Sequence, residues 1–387
     1  MRTIKIPLFL ASILFFTNCK KEGTSTSEAP DNCVVSKGTS SGDIIAGQYI
    51  VAYEPSVGAR TSSAKSVTEV GTAILQKHNI SKAAIETAFT GDVQGFVARL
   101  TSDEAALLQQ DPSVSAVEPD RIVALGTCFT VVAPTLITWN INKVGYGDGT
   151  GKTAWILDTG IDFDHPDLNV DVTRSKSFVT GVTSADDENG HGTHVAGIIG
   201  AKNNTIGVLG VASGANLVSM RVLDKEGKGK LSYIIQALSH INTNGKAGDV
   251  VNLSLGEDVV SDILDQQVQN TASRGIFISI AAGNDAKPAI QFSPGRANGT
   301  NIYTVSAVDS LNNFASFSNY GNDAVDYAAP GVRILSTYMD GKYARMSGTS
   351  MAAPHVAGLL LISGGKLRSL GTALNDPDGT PDPIAVK

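Results

Sequence analysis

The sequence predicts an α/β protein: a parallel sheet with helices on both faces, preceded by a small α/β sandwich. Near-continuous apolar strands alternate with helical stretches from Thr138 onward, the pattern of strands buried on two sides. Before them, strand, helix, strand, helix and strand follow one another within about 80 residues, which suits a compact two-layer unit. Gly is frequent, at 40 residues against 6% aromatics, which points to tight turns and close-packed small side chains. With 387 residues, 42% of them hydrophobic, the chain has room for one large domain and one small one.

The first element is an exported-protein leader. Met1-Arg2-Thr3-Ile4-Lys5 is basic, and residues 6–16 form an apolar run of signal-peptide length, too short to span a bilayer comfortably. Cys19 and two lysines follow at once, and the arrangement resembles a bacterial lipoprotein signal in which Cys19 becomes the lipidated N-terminus. The preceding Phe16-Thr17-Asn18 departs from the small residue such signals prefer, and an ordinary cleaved signal is the alternative. Residues 1–18 are thus assigned to the signal, and residues 19–45, rich in Ser, Thr, Gly and Lys, to a flexible tether. Export leaves an odd count of three cysteines to be placed. Lipidation would use Cys19, and Cys33 and Cys128 could then pair in an oxidising compartment or stay as thiols. The expected location is extracytoplasmic, either secreted or anchored in a bacterial envelope.

The small unit, residues 46–125, reads as strands at 48–53, 95–100 and 114–120 with helices at 67–78 and 102–110. The regular pattern stops around residues 125–129, a junction between domains. In the large unit, residues 129–387, strands are expected at 154–157, 216–220, 250–254 and 276–280, with a helix at 232–241 among them. Ligands of such sheets bind outside the carboxyl ends of the strands. Asp158, Ser254 and Asn284 all fall at or just after strand ends. The Asp-rich stretch at residues 375–379 reads as a solvated loop. A net charge of −7 and a pI near 5.4, without a basic run, argue against a nucleic-acid partner.

Peptide hydrolysis at neutral pH requires a nucleophile, a base, a group that orients the base, and donors for the oxyanion. Leu157-Asp158-Thr159-Gly160 sets a carboxylate directly after a buried strand. Asp-Thr-Gly also occurs in aspartic proteases, but those need two copies and only one is present. Asn189-Gly190-His191-Gly192-Thr193-His194 opens an Ala- and Gly-rich helix, with His191 as the base. A zinc reading of His191 and His194 lacks the intervening Glu and the third ligand, so His194 is assigned a structural role. Gly348-Thr349-Ser350-Met351-Ala352-Ala353-Pro354-His355 puts Ser350 at a helix N-terminus, with Pro354 expected in the first turn. Ala281-Ala282-Gly283-Asn284 ends a strand with an amide positioned to donate to an oxyanion. Each motif alone has a plainer reading as an N-cap, a turn or a core histidine. The order Asp, His, Asn, Ser is what gives them weight together.

These segments resemble the subtilisin-like serine peptidases, peptidase family S8. The wording of residues 316–320, 329–331 and 334–337 looks most like the proteinase K branch. The resemblance implies a subtilisin-like fold and an Asp158-His191-Ser350 triad with Asn284 in the oxyanion hole. The small domain resembles the family's inhibitory propeptide, whose late Val-Glu-x-Asp segment matches Val117-Glu118-Pro119-Asp120; taken alone it would read as a small adaptor module. Self-cleavage is expected near residues 125–128. Substrate would lie as an added strand along Leu223, Gly227 and Gly229 and along Ser254, Leu255 and Gly256, with Ala282 and Gly283 lining an uncharged primary pocket. An apolar or aromatic preference follows from that pocket. Thr300, Ile302 and Asp326 match a structural calcium site of the proteinase K type; no cofactor is required for the chemistry. The expected partners are protein and peptide substrates, the chain's own propeptide as intramolecular inhibitor, and a lipid anchor to the membrane. The rivals are a catalytically idle binding protein that kept the fold, and a latent surface lipoprotein whose propeptide stays attached through Cys33 and Cys128.

Overall fold

The computed structural model describes residues 42–54, 64–91, 93–124, 128–131, 137–256 and 259–387. The signal and lipidation readings at residues 1–18 and Cys19, most of the tether, and Cys33 lie outside the described residues.

The N-terminal unit runs β1 (Ile44–Tyr53), α1 (Ala64–Lys77), β2 (Ile85–Phe89), β3 (Gly95–Arg99), α2 (Ser102–Gln109) and β4 (Val114–Ala124). Its strands alternate strictly between two cores. Val51, Tyr53, Phe96 and Ala98 pack under the helices, while Ile50, Ala52 and Val97 face the rest of the molecule. Strand β2, which the pattern of residues does not announce, is the outer strand, and among its five residues only Phe89 is buried. Helix α2 starts on a reciprocal cap: Glu104 N–H donates to Thr101 Oγ1 at 3.2 Å and Thr101 N–H to Glu104 Oε2 at 2.8 Å.

The large unit contributes β5 (Cys128–Val131), α3 (Trp139–Val144), β6 (Gly147–Asp148), β7 (Thr153–Asp158), β8 (Lys176–Ser177), α4 (His191–Gly200), β9 (Ala212–Ser213), β10 (Asn216–Arg221) and β11 (Lys228–Lys230). It continues with α5 (Leu231–Asn244), β12 (Val250–Leu253), α6 (Asp262–Ala272), β13 (Phe277–Ala281), β14 (Ile302–Val308) and β15 (Tyr327–Pro330). It ends with β16 (Ile334–Tyr338), β17 (Lys342–Ser347), α7 (Thr349–Ser363), β18 (Arg368–Thr372) and β19 (Pro383–Val386). Nine strands form the main sheet in the order β18-β19-β15-β14-β13-β12-β7-β10-β8, parallel except for the β18–β19 pair. On β7, Ala154 and Ile156 join the core of α4 and α7, whereas Trp155 and Leu157 join that of α5 and α6. The same alternation carries Asp158 to the α4 face, where it meets His191.

The small unit lies across α5 and α6. Phe89, Val93, Val97 and Val123 share one buried cluster with Leu231, Ile234 and Leu238 of α5 and Leu264 and Val268 of α6. Each such side chain gains about 1.5–3 kcal/mol from burial. Polar contacts fix the register. Strand β4 adds β11 to the small sheet, pairing Lys228 with Ala124, Gly229 with Val123 and Lys230 with Ile122. Glu118 receives Ser261 Oγ–H and, at 3.1 Å, the Ile263 N–H of α6. Asp120 receives the Ser232 N–H and Oγ–H of α5 at 3.2 and 2.7 Å. Helix α5 has no side-chain cap from its own N-cap residue, so Asp120 takes up its free N–H group. Burial pushes both carboxyl groups above the usual carboxylate range.

Candidate active site

Asp158 ends β7 and is fully buried, with 0% exposure. Its Oδ1 accepts the Thr159 N–H at 2.7 Å, and the His191 Nδ1 nitrogen lies 2.8 Å from Oδ1 and 3.0 Å from Oδ2. A carboxylate only accepts, so Nδ1 donates and the base lone pair is on Nε2. That nitrogen is buried and has no hydrogen-bond partner among the described residues. The glycines beside His191 are steric requirements. Gly190 sits at φ +104°, and a Cβ on Gly192 would lie 2.1 Å from the Gly160 carbonyl.

Ser350 is the second residue of α7 and 5% exposed. Pro354 was expected in the first turn, but it is the sixth residue of α7 and stands inside the helix. Having no N–H, it cannot engage the Ser350 carbonyl four residues back. Ser254 fills that role: its Oγ–H donates to the Ser350 carbonyl at 2.8 Å, while Ser350 Oγ–H donates to the Ser254 carbonyl at 3.0 Å. Asn252 Nδ2 holds Ser254 Oγ from the other side at 2.8 Å. Sequence reading placed Ser254 along the substrate edge and missed this second role, for which the proline four residues after Ser350 was the available signal.

Asn284 approaches the same helix end. Its Oδ1 accepts the Thr349 N–H at 2.8 Å and Oγ1–H at 3.0 Å, which leaves the amide nitrogen as the donor end. Gly283, at φ +105°, directs its N–H to Thr349 Oγ1 at 3.1 Å. Ala282 is buried beside it. Ser254, Leu255 and Gly256 follow β12 directly, as Ala282 and Gly283 follow β13. Leu223 and Gly229 bridge as an antiparallel pair, and Gly227 turns between them at φ +72°. The edge read from sequence as a substrate strand partner is therefore paired with β4 of the chain's own N-terminal unit.

His194 is separate from this cluster. Its Nε2 lies 3.0 and 3.1 Å from the carbonyls of Ile334 and Ala344, and burial pushes its pKa down to about 3, so the ring is a neutral donor. Among the described residues no group of three or more His, Cys, Asp or Glu side chains is placed to hold a metal ion. A calcium ion at Thr300, Ile302 and Asp326 would depend on one carboxylate and two carbonyls. Asp326 Oδ2 accepts the Thr304 N–H at 2.8 Å, and burial pushes its pKa up. No described helix is long and apolar enough to cross a membrane.

Fold and site together define a class: a parallel-sheet α/β protein with a buried Asp–His pair, a serine at a helix N-terminus, and a small sheet-forming unit whose β4 pairs with β11. Residues 149–367 match the model of the subtilase family, and residues 48–126 match that of peptidase inhibitor I9. The chain belongs to the subtilase family. It is 43% identical to the M-protease of Shouchella clausii (strain KSM-K16) over 267 residues, covering 67% of this chain and 66% of that protein. It is 34% identical to the alkaline serine exoprotease A of Vibrio alginolyticus over 347 residues, 86% of this chain and 63% of that one. The chain thus spans just under two thirds of the length of these relatives. A crystal structure of a cold adapted subtilisin-like serine proteinase is similar at a TM-score of 0.57 and 34% identity, covering 65% of this chain and 98% of that one.

Proposed function

We propose that this protein is an exported serine endopeptidase, made as a self-cleaving zymogen, that hydrolyses protein substrates through an acyl-enzyme. The observation that carries the reading is the buried Asp158–His191 pair, 2.8 Å apart, whose Nε2 has no partner among the described residues, beside helix α7, which starts at Thr349-Ser350 with its Thr349 N–H held by Asn284. Ser350 Oγ swings from the Ser254 carbonyl to His191 Nε2, gives up its proton there and attacks the peptide carbonyl. Asp158 holds the tautomer and balances the imidazolium. The Asn284 amide and the Ser350 N–H stabilise the oxyanion at the positive end of α7. His191 then protonates the leaving amine, and water reverses the sequence to free the acid.

Residues 46–125 act as the inhibitory propeptide, residues 129–387 as the enzyme, and self-cleavage falls near residues 125–128. Strand β4 on β11 supports this, because it holds the chain as a substrate would lie. Ala282 and Gly283 favour an apolar or aromatic residue before the cut bond. Thr300, Ile302 and Asp326 would hold a stabilising calcium ion, and a rise in melting temperature with added calcium that Asp326→Asn abolishes is the expected sign. Cys19 would anchor the zymogen to the envelope by lipid, read out by metabolic labelling with a tagged fatty acid in wild type and Cys19→Ser. A bond between Cys33 and Cys128 would keep a cleaved propeptide attached, seen as one band on a non-reducing gel and two after reduction.

The deciding experiment is intact mass and casein hydrolysis for wild type and Ser350→Ala. The wild type is expected to lose its N-terminal unit and cleave casein while the variant stays whole and inert. Equal behaviour of the two would remove the protease reading.

A further inference from the structure

Resting on that reading of the site, we propose that Asp187 is a positioning residue that sets the geometry of the Asp158–His191 pair without touching either side chain. It belongs to the acidic run Ala185-Asp186-Asp187-Glu188-Asn189 that leads into α4. Asp187 is only 8% exposed, while Glu188 next to it lies at the surface. Its two oxygens accept five hydrogen bonds. Oδ1 takes Thr159 Oγ1–H at 2.9 Å, Asn189 N–H at 2.9 Å and Gly190 N–H at 3.0 Å. Oδ2 takes Thr193 N–H at 3.0 Å and Thr193 Oγ1–H at 2.6 Å.

The donors belong to two segments. Thr159 follows Asp158, and Gly190 and Thr193 surround His191 at the start of α4. The two threonine hydroxyls also cross-link the segments. Thr159 Oγ1 accepts the Gly192 N–H at 3.0 Å, and Thr193 Oγ1 accepts the Asp162 N–H at 2.9 Å. Each hydroxyl therefore receives from the opposite segment and donates to Asp187. Backbone contact is equally close: a Cβ on Gly160 would meet the Asp187 Cα at 2.7 Å, and one on Gly192 the Gly160 carbonyl at 2.1 Å. A side chain with one acceptor oxygen cannot serve five donors, three of which are backbone N–H groups fixed in place. An amide at this position would point NH2 at one of the two sets of donors and push the segments apart.

The test compares Asp187→Asn, Thr159→Val and Thr159→Ser in the full-length chain, with kcat and KM measured on a chromogenic peptide. Each is also melted in a Ser350→Ala background, where no self-cleavage intervenes. Asp187→Asn and Thr159→Val are expected to lower kcat about a hundredfold, the cost of a displaced catalytic group, with KM within about threefold of wild type. Thr159→Ser, which keeps the hydroxyl, restores kcat, and all three melt within a few degrees of Ser350→Ala alone. The proposal is overturned if Asp187→Asn keeps wild-type kcat, if Thr159→Ser loses as much as Thr159→Val, or if the loss comes with a collapsed melting transition while Thr159→Val stays fully active. Failure of the protease reading itself would appear differently, as peptide hydrolysis that survives Ser350→Ala.

Discussion

Ser254 and Ser350 exchange hydrogen bonds because Pro354 withdraws one from the helix, and this gives Ser254 a measurable weight. Ser254→Ala leaves the Ser350 carbonyl buried without its donor, a loss of about 1–3 kcal/mol where an acceptor is orphaned. We expect kcat about tenfold lower with little change in KM, read from steady-state peptide hydrolysis. On the proposed mechanism Asn284→Ala removes an oxyanion donor and should cost about 10²–10³ in kcat. At this scale the sequence was informative wherever chemistry fixes residue type and spacing together. Asp158, His191, Asn284 and Ser350 lie far apart in the chain, yet each carries its own local motif. The Ser254–Ser350 exchange and the donors gathered by Asp187 were not legible, since they depend on which backbone groups the fold leaves unpaired.

Glu118 and Asp120 bind the starts of two helices that belong to another part of the chain, so the propeptide strand contributes the cap that α5 lacks and adds an acceptor to α6, whose own Ser261 already caps Leu264. Asp120→Ala should weaken the contact by about 0.5–2 kcal/mol, the usual cost of losing a helix cap. The expected result is earlier appearance of active enzyme after refolding, followed by casein hydrolysis against time. Phe89→Ala empties a buried position at the same contact and should act in the same direction by about 3–5 kcal/mol. Sequence periodicity located β1, β3, β4, α1 and α2 to within a few residues, because the helices carry an apolar stripe and β1 and β3 are apolar runs buried on both faces. Strand β2 escaped it because as an outer strand it buries little. The β4–β11 pairing escaped it too, since edge partnership has no local pattern.

Across the whole molecule, four carboxylates gather at one end of the main sheet: Asp382 faces Asp376, Asp378 and Asp326. The tail was read as a solvated loop, and residues 375–379 are largely exposed, but Asp382 just beyond them is fully buried. Burial first, then those neighbours, push its pKa up to about 7, although Ser306 Oγ–H donates to it at 2.5 Å. A carboxyl whose folded pKa is raised stabilises the fold fully below about pH 4, and that contribution is lost as pH climbs toward about 7. Asp382→Asn in a Ser350→Ala background should therefore match its parent near pH 4 and melt higher at pH 8. One pKa unit corresponds to about 1.4 kcal/mol, so the gap at pH 8 is on the order of a few kcal/mol. Thermal melting across that range checks both the sign and the window.

The two ends of the junction are secured independently. Ala124 is in register with Lys228, and Cys128 is in register with Ser347, three residues before Ser350. A nick anywhere between them would free neither end, because each new terminus stays stitched into a different sheet. On the proposed self-cleavage, maturation would be a two-stage clock: the cut itself would leave the enzyme silent, and the unzipping of β4 would decide when it starts to work. A burst of mass change followed by a lag in casein hydrolysis would be its signature.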